Sequence, residues 1–453
     1  MTRVQPNYAV EQPRASLAQQ DDEDRSSHKR IDADLLIPGR GEPIKNGILI
    51  FKPDDSASPN GKIAFAGSVD DVPARFSGLK ASVHVPVLMP GLWDCHVHFF
   101  GEAEPSLEQV AYTPQSLAGF RSARDSIALL DAGFTSVREV GGYGIDFAKG
   151  IDDGWMPGPK IYSAGAPLSQ TAGHGDLHTV PLNHLHDCIS HGLPLGLADG
   201  VDEAIKLVRK QIRRGAKLIK ICSTGGVMSR IDSPLAAQFN SAELQAIVDE
   251  ATRTNLIVAS HAHGTAGIIA ALNAGVHTIE HGSYLTKQAI DMMLEKDVML
   301  VATRFIQENG LEHPENMPPE SYKKLLEIAD DNKESYKTAI KAGVRCALGT
   351  DLGMCNVASQ FNHGMNGREF GYAVQCGMTP LQAVEAGTAR GPETLGPQAP
   401  LSGQLKEGYD ADFIALNHSP LEDIAILAKP KEIRYVWKGG KLFKAPGNPV
   451  SFM

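Results

Sequence analysis

At 453 residues the chain exceeds what one ordinary core holds, yet fits one large barrel with a small appended unit. It is 42% hydrophobic and 21% charged, with 45 Gly and 28 Pro, which excludes wholesale disorder and indicates a globular protein with many tight turns. Against 53 Asp and Glu stand 43 Lys and Arg; the formal charge of -10 repels phosphate backbones and anionic lipid, so neither nucleic acid nor membrane is an expected partner.

Residues 1–30 hold few large apolar side chains and cluster Asp, Glu, Arg and Ser, so a disordered tail is expected there. The stretch lacks the apolar core of a secretory signal, and no apolar run approaches the ~20 residues that span a bilayer. A cytoplasmic location is the expectation. Cys95, Cys188, Cys222, Cys346, Cys355 and Cys376 contain no CxxC pair, and all six are expected to be reduced thiols.

From Ile31 the pattern changes to short alternating strands, ADLLIPG, NGILIFKP and GKIAFAGSV, punctuated by Gly, Pro and Asn. The same character returns near the other end in GQLKEGYDADFIALN and EIRYVWKGGKLFK. Residues 31–88 and 396–446 are therefore expected to form one β-sandwich domain from both chain ends. Between them, residues 89–395 alternate apolar strand runs with helix-like stretches. The strand runs are VPVLMPGLWDCH, FTSVREV, KIYSAG, AKLIKIC, LIVASHAH, VHTIEHG, VMLVATR and VRCALGTD. Helical stretches such as SLAGFRSARDSIALLDAG, VDEAIKLVRKQIRRG, SAELQAIVDEATRTN, GTAGIIAALNAG and KESYKTAIKAG intervene, several closed by Gly. Eight such repeats in about 300 residues predict an α/β fold, the TIM (β/α)8 barrel, whose chemistry sits where the strands end. An open doubly wound sheet is the alternative, but no GxGxxG follows the first strand.

In an extended chain residues i and i+2 face the same way, so His96 and His98 present two imidazoles side by side. Other strand ends add Lys220, His261, His263, His281 and Asp351. Each is a nitrogen or oxygen ligand, or a lysine that can become one, on the face where a barrel builds its site; together they predict a metal site.

These motifs are recognisable. DCHVHF, GAKLIKICSTGGVMS, SHAHG, IEHG and ALGTD, in that order, resemble the amidohydrolase superfamily, in the branch with a lysine-bridged pair of metals. VPVLMPGLWDCH, LSQTAGHGD, QIRRGAK, GGVMSR, GPQAPLSGQL and VWKGGKLFK extend the likeness to its fungal ochratoxinase type. The chain is also similar to the microbial prolidases and the Xaa-Arg or Xaa-Lys carboxypeptidases. Carried over, the resemblance implies that His96, His98 and Asp351 bind one divalent metal and His261 and His281 the other. Lys220 would bridge them as a carbamate formed with carbon dioxide (N6-carboxylysine), which requires a neutral amine; Leu218, Ile219 and Ile221 supply an apolar setting that favours one. Zinc suits such ligands. Asp351 would move the proton from the attacking water to the leaving amine. The resemblance also implies a homo-oligomer.

The remaining candidates concern substrate. His263 is expected to hold substrate or orient the ligands, and His174 resembles a substrate-contact position of the family. Arg138, Arg230, Arg304 and Tyr284 lie near strand ends and are expected to clamp a substrate carboxylate. His184, His186 and His191 are expected on a solvated loop, and His363 and Glu369 in loop and helix structure. The loop after strand eight, GTDLGMCNVASQFNHGMNGREFGYAV, departs from the ochratoxinase type. The expected activity is metal-dependent hydrolysis of an amide bond in a small molecule, carboxypeptidase-like, on an N-acyl amino acid or an ochratoxin-like compound. A cyclic amide or lactone hydrolase, and a non-catalytic binding barrel, are the alternatives.

Overall fold

The computed structural model describes residues 27–54, 60–104, 106–355 and 362–451, so the predicted tail lies almost wholly outside the described residues. In chain order the strands are β1 (Lys29–Leu36), β2 (Ile44–Lys52), β3 (Lys62–Ser68) and β4 (Ala81–Pro90), then β5 (Leu92–Glu102), β6 (Phe134–Gly142) and β7 (Lys160–Ser163). They continue with β8 (Leu168–Ser169), β9 (Gly196–Leu197), β10 (Ile219–Cys222), β11 (Val258–Ala262), β12 (Thr278–His281), β13 (Met299–Val301) and β14 (Leu352–Met354). The last three are β15 (Phe413–Leu416), β16 (Ile433–Lys438) and β17 (Lys441–Lys444).

The two chain ends meet in one seven-stranded sheet, ordered β17-β16-β15-β4-β1-β2-β3. Alternation explains it: Ile31, Ala33, Leu49, Phe51, Val85, Phe413 and Ala415 turn inward to a shared apolar core. The Ile63 N–H bonds to the Tyr409 carbonyl at 2.9 Å, and Lys62 bridges Asp410, which ties the β3 edge back to the chain entering β15. The pairing is thus continuous through all seven strands contributed by the two chain ends.

The middle of the chain is α/β with two parallel sheets, β13-β12-β11-β10-β8-β9 and β14-β5-β6-β7. Every position of β6 is buried, the mark of a parallel strand covered on both faces. Backbone bonds also join the sheets. Lys217 N–H reaches the Ser163 carbonyl at 2.8 Å, Ala347 N–H the Leu300 carbonyl at 3.0 Å, and Cys95 N–H the Leu348 carbonyl at 2.8 Å. Each of the eight predicted strand runs is therefore bonded to the next and the last to the first. The helix Val201–Arg214 shows why helices intervene: Asp202 and Glu203 open it, Arg213 and Arg214 close it, and Gly215 caps it at φ 103°.

Three elements differ from expectation. The run 298–304 stays extended only to Val301; Thr303 is left-handed and a helix begins at Arg304. The run 344–351 contributes a single bridge, Leu300 to Cys346, before β14 resumes the pairing with β5. Leu182–Ser190, expected as a loop, is a helix that leaves His184 and His186 exposed, with His191 just beyond it. All six cysteines are free. Among the described residues no helix is long and apolar enough to cross a membrane.

Candidate metal centre

β5 carries His96, His98, Phe100 and Glu102 at alternate positions, and all four line one cavity. His174, Lys220, His261, His281 and Asp351 line it too. The six predicted ligands and His174 thus share one cavity, and His263 lines an adjoining recess with His174, His261, His281 and Asp351.

Two sets of donor atoms lie close enough to share an ion. His96, His281 and Asp351 form one and His261, His263 and His281 the other, with all donor atoms of each set within 4.8 Å. His98 Nε2 lies 3.0 Å from Asp351 Oδ1 and His96 Nε2 3.2 Å from the same oxygen. Lys220 Nζ stands 3.4 Å from His96 Nε2. The grouping differs from the sequence expectation: His263 sits among the donors, its ring stacked on His281 at 4.8 Å between centroids, while His281 belongs to both sets and His98 to neither.

Electrostatics favours the metal-ready form of His261, His263, His281, Lys220 and Asp351. Burial holds His261 and His281 well below the usual imidazole range and His263 down at about 3, so their lone pairs are free. Burial also lowers the Lys220 amine, partly opposed by Glu280. For Asp351 burial pushes up, but the imidazole of His96 and the hydrogen bonds from His96 and His98 prevail and keep the carboxylate well below its ordinary range.

A second layer fixes the rings. His96 Nδ1 meets Glu280 Oε2 at 2.8 Å, and Arg138 grips both oxygens of that carboxylate at 2.8 and 2.7 Å. His98 Nδ1 donates to the Gly141 carbonyl at 2.9 Å, and His281 Nδ1 meets Thr303 Oγ1 at 2.8 Å. Asp94, wholly buried, accepts the His96 N–H at 3.0 Å, the Thr350 N–H at 3.1 Å and the Asn366 amide at 2.7 Å. Such partners orient ligands and raise their basicity. Glu280, Asp94 and Thr303 escaped the sequence reading. For Glu280 and Asp94 the signal was an acid beside a histidine inside an apolar strand, which needs a partner wherever it is buried.

The expected carboxylate clamp is not assembled. Arg138 is fully buried on Glu280, with Nε on the Cys95 carbonyl at 2.6 Å. Arg304 is turned into the helices, binding Asn332 Oδ1 at 2.8 Å and the Ala329 carbonyl at 2.9 Å. Arg230 is held by Glu108 at 3.1 Å and by Glu320. The Tyr284 hydroxyl donates to the Glu327 carbonyl at 2.8 Å. Each of the four has a protein partner, and none lines the cavity. His174 does: its ring stacks on His261 at 4.2 Å and Nδ1 meets Ser229 Oγ at 2.9 Å. His363 Nε2 meets the His98 carbonyl at 3.2 Å, and Glu369 accepts the Arg304 N–H at 3.1 Å and the Phe305 N–H at 2.6 Å.

Comparison with known proteins places this geometry in context. The model of the Amidohydrolase family matches residues 87–443. The ochratoxinase of Aspergillus niger is 46% identical over 437 residues, covering 92% of this chain and 87% of that protein. Its crystal structure superposes with a TM-score of 0.87 at 45% identity, covering 94% of this chain and 98% of that one. A prolidase complexed with N-methylphosphonate-L-proline has a TM-score of 0.82 at 30% identity, covering 92% of this chain and all (100%) of the other.

Proposed function

This chain belongs to the amidohydrolase family and is a hydrolase of amide bonds, and from that premise we propose a metal-dependent enzyme cleaving N-acyl amino acids with apolar acyl groups, ochratoxin-like compounds included. The convergence of His96, His98, Lys220, His261, His281 and Asp351 on one cavity carries the reading. The ring of hydrogen-bonded strand runs supports a closed (β/α)8 barrel over 89–395, beside a β domain from 31–88 and 396–446.

The donor set fits divalent cations, because burial lowers the pKa of His261, His263 and His281 and the donor atoms within each of the two sets lie within 4.8 Å of one another. His96, His98 and Asp351 would hold one ion and His261 and His281 the second, with His263 in reach of it. Lys220, its amine pKa lowered by burial, would take up carbon dioxide and bridge the two as a carbamate. Zinc is the metal proposed. Such ions, when bound, polarise the scissile carbonyl and acidify water. Asp351, held ionised, takes the proton from the attacking water and passes it to the leaving amine. Phe100, Leu107, Val110, Leu177 and Leu195 give the acyl group an apolar wall that excludes water. The identity to ochratoxinase supports the same substrate class.

The test is a hydrolysis screen over N-acyl amino acids, dipeptides and ochratoxin A, with metal measured on the same sample. Release of a free amino acid and about two metal equivalents per chain are expected. Asp351→Asn is expected to lower kcat by about 10²–10⁴-fold. A metal-free protein inert on the whole panel, or an Asp351→Asn variant with unchanged kcat, would refute the assignment.

A further inference from the structure

β5 does not stop at its two imidazoles. The alternation runs on through Phe100 to Glu102 along the same cavity. Phe100 stacks on His98, with ring centroids 5.4 Å apart and 14° between planes, so a flat apolar surface separates the imidazole from Glu102. At ~3.3 Å per residue, Glu102 lies roughly 13 Å along the strand from His98. Leu107, Val110, Leu177 and Leu195 line the cavity with it.

Glu102 is 4% exposed, and among the described residues its Oε1 has no hydrogen-bond partner. A buried polar atom left open costs stability and calls for a use, and the proposed metal chemistry has none for it. Its position is built rather than incidental. The Cys355 N–H holds the Glu102 carbonyl at 2.6 Å, and Gly101, at φ 70°, lies so close to Ala118 that a Cβ would come within 2.4 Å of its backbone.

We propose that Glu102 is a specificity-determining residue, binding through its open oxygen a carbonyl carried at the far end of a flat, apolar acyl group whose amide lies by His98 and Asp351. This rests on the amide-hydrolase reading and names what its substrate must carry. Burial pushes the Glu102 carboxyl well above the ordinary range, against one opposing hydrogen bond from Val110, and Glu108 adds to the push. Burial therefore favours the protonated acid, the form that donates to an acceptor. The other charges at this end of the cavity are Glu104, which is exposed, and Glu108, which has Ser106 and Arg230 as partners. Arg230 is shared between Glu108 and Glu320.

The experiment compares N-(4-acetylbenzoyl)-L-phenylalanine with its isostere N-(4-isopropenylbenzoyl)-L-phenylalanine, in which a methylene replaces the carbonyl oxygen, on the metal-loaded full chain. The two free benzoic acids are titrated in parallel by calorimetry. The wild type is expected to favour the acetyl member about tenfold in kcat/KM and in Kd. Glu102→Gln, which still donates, keeps the preference, and Glu102→Met brings it close to unity. Equal handling of the pair by the wild type, a preference surviving Glu102→Met, or its loss in Glu102→Gln overturns the proposal. The wild-type ratio needs no variant to fold. Absence of turnover on every amide would refute the hydrolase reading instead, and the Kd ratio of the free acids would still judge Glu102.

Discussion

A carboxylate decides how the ring of His96 points, and an arginine decides how that carboxylate sits. Glu280, held on both oxygens by Arg138, comes from a strand far along the chain, so no local pattern around Arg138 revealed the pairing. Read alone, an arginine near a strand end is a free cation; in the fold its charge is spent. Glu369 offers a sharper test at this scale. Burial pushes its carboxyl from 4.5 up to about 8, against the N–H groups of Phe305 and Arg304. Between those two values the folded chain keeps a proton that the unfolded chain has released. Stability therefore falls as pH rises through that window, by at most about 1.4 kcal/mol per pH unit from this group. Glu369→Gln is expected to flatten the slope between pH 5 and 8 in urea unfolding, and an unchanged slope would clear Glu369 of it.

Elements show where the sequence was readable and where it was not. The strand runs and the cavity-lining histidines and aspartate at their ends were legible, because an apolar run that stops at a histidine or aspartate is a local signal. The turns after them were not. His281, Thr303 and Asp351 all have positive φ, at 70°, 51° and 63°, although none is glycine. Such strain survives only where surrounding contacts outweigh it, and those contacts are tertiary. Hence the run through Arg304 looked like strand, while Thr303 turns left-handed to meet His281 and the next helix starts. In Leu182–Ser190 the apolar spacing of Leu182, Leu185 and Ile189 was helical, but His184 and His186, with His191 and prolines flanking, masked it. Thr303→Val keeps the shape and removes the hydroxyl from His281 Nδ1. Metal affinity is expected to drop about 10–100-fold in a chelator competition, with the fold retained; unchanged affinity would show that this bond does not orient the ring.

For the molecule as a whole, the question is what fastens the terminal sheet to the rest. Lys160, on β7, reaches Asp410 at 2.9 Å and Asp412 at 2.8 Å, all three largely buried. Lys438 Nζ donates to the Gly158 carbonyl at 2.6 Å, and Lys444 Nζ to the Asp131 carbonyl at 2.7 Å. Lys160→Met leaves two close carboxylates with one fewer cation, and a loss of about 3–5 kcal/mol in denaturant unfolding is expected. A loss below about 1 kcal/mol would mean that Lys62, 2.6 Å from Asp410, suffices alone.

That the chain's two extremities share a sheet also bears on how the protein is made. Met89 pairs with Ile414, so while the ribosome is still working through the middle of the message, β4 waits with a bare edge. A polypeptide released before Phe413 would keep that edge for good, ready to template strands from its neighbours, and synthesis through β15 is what seals it.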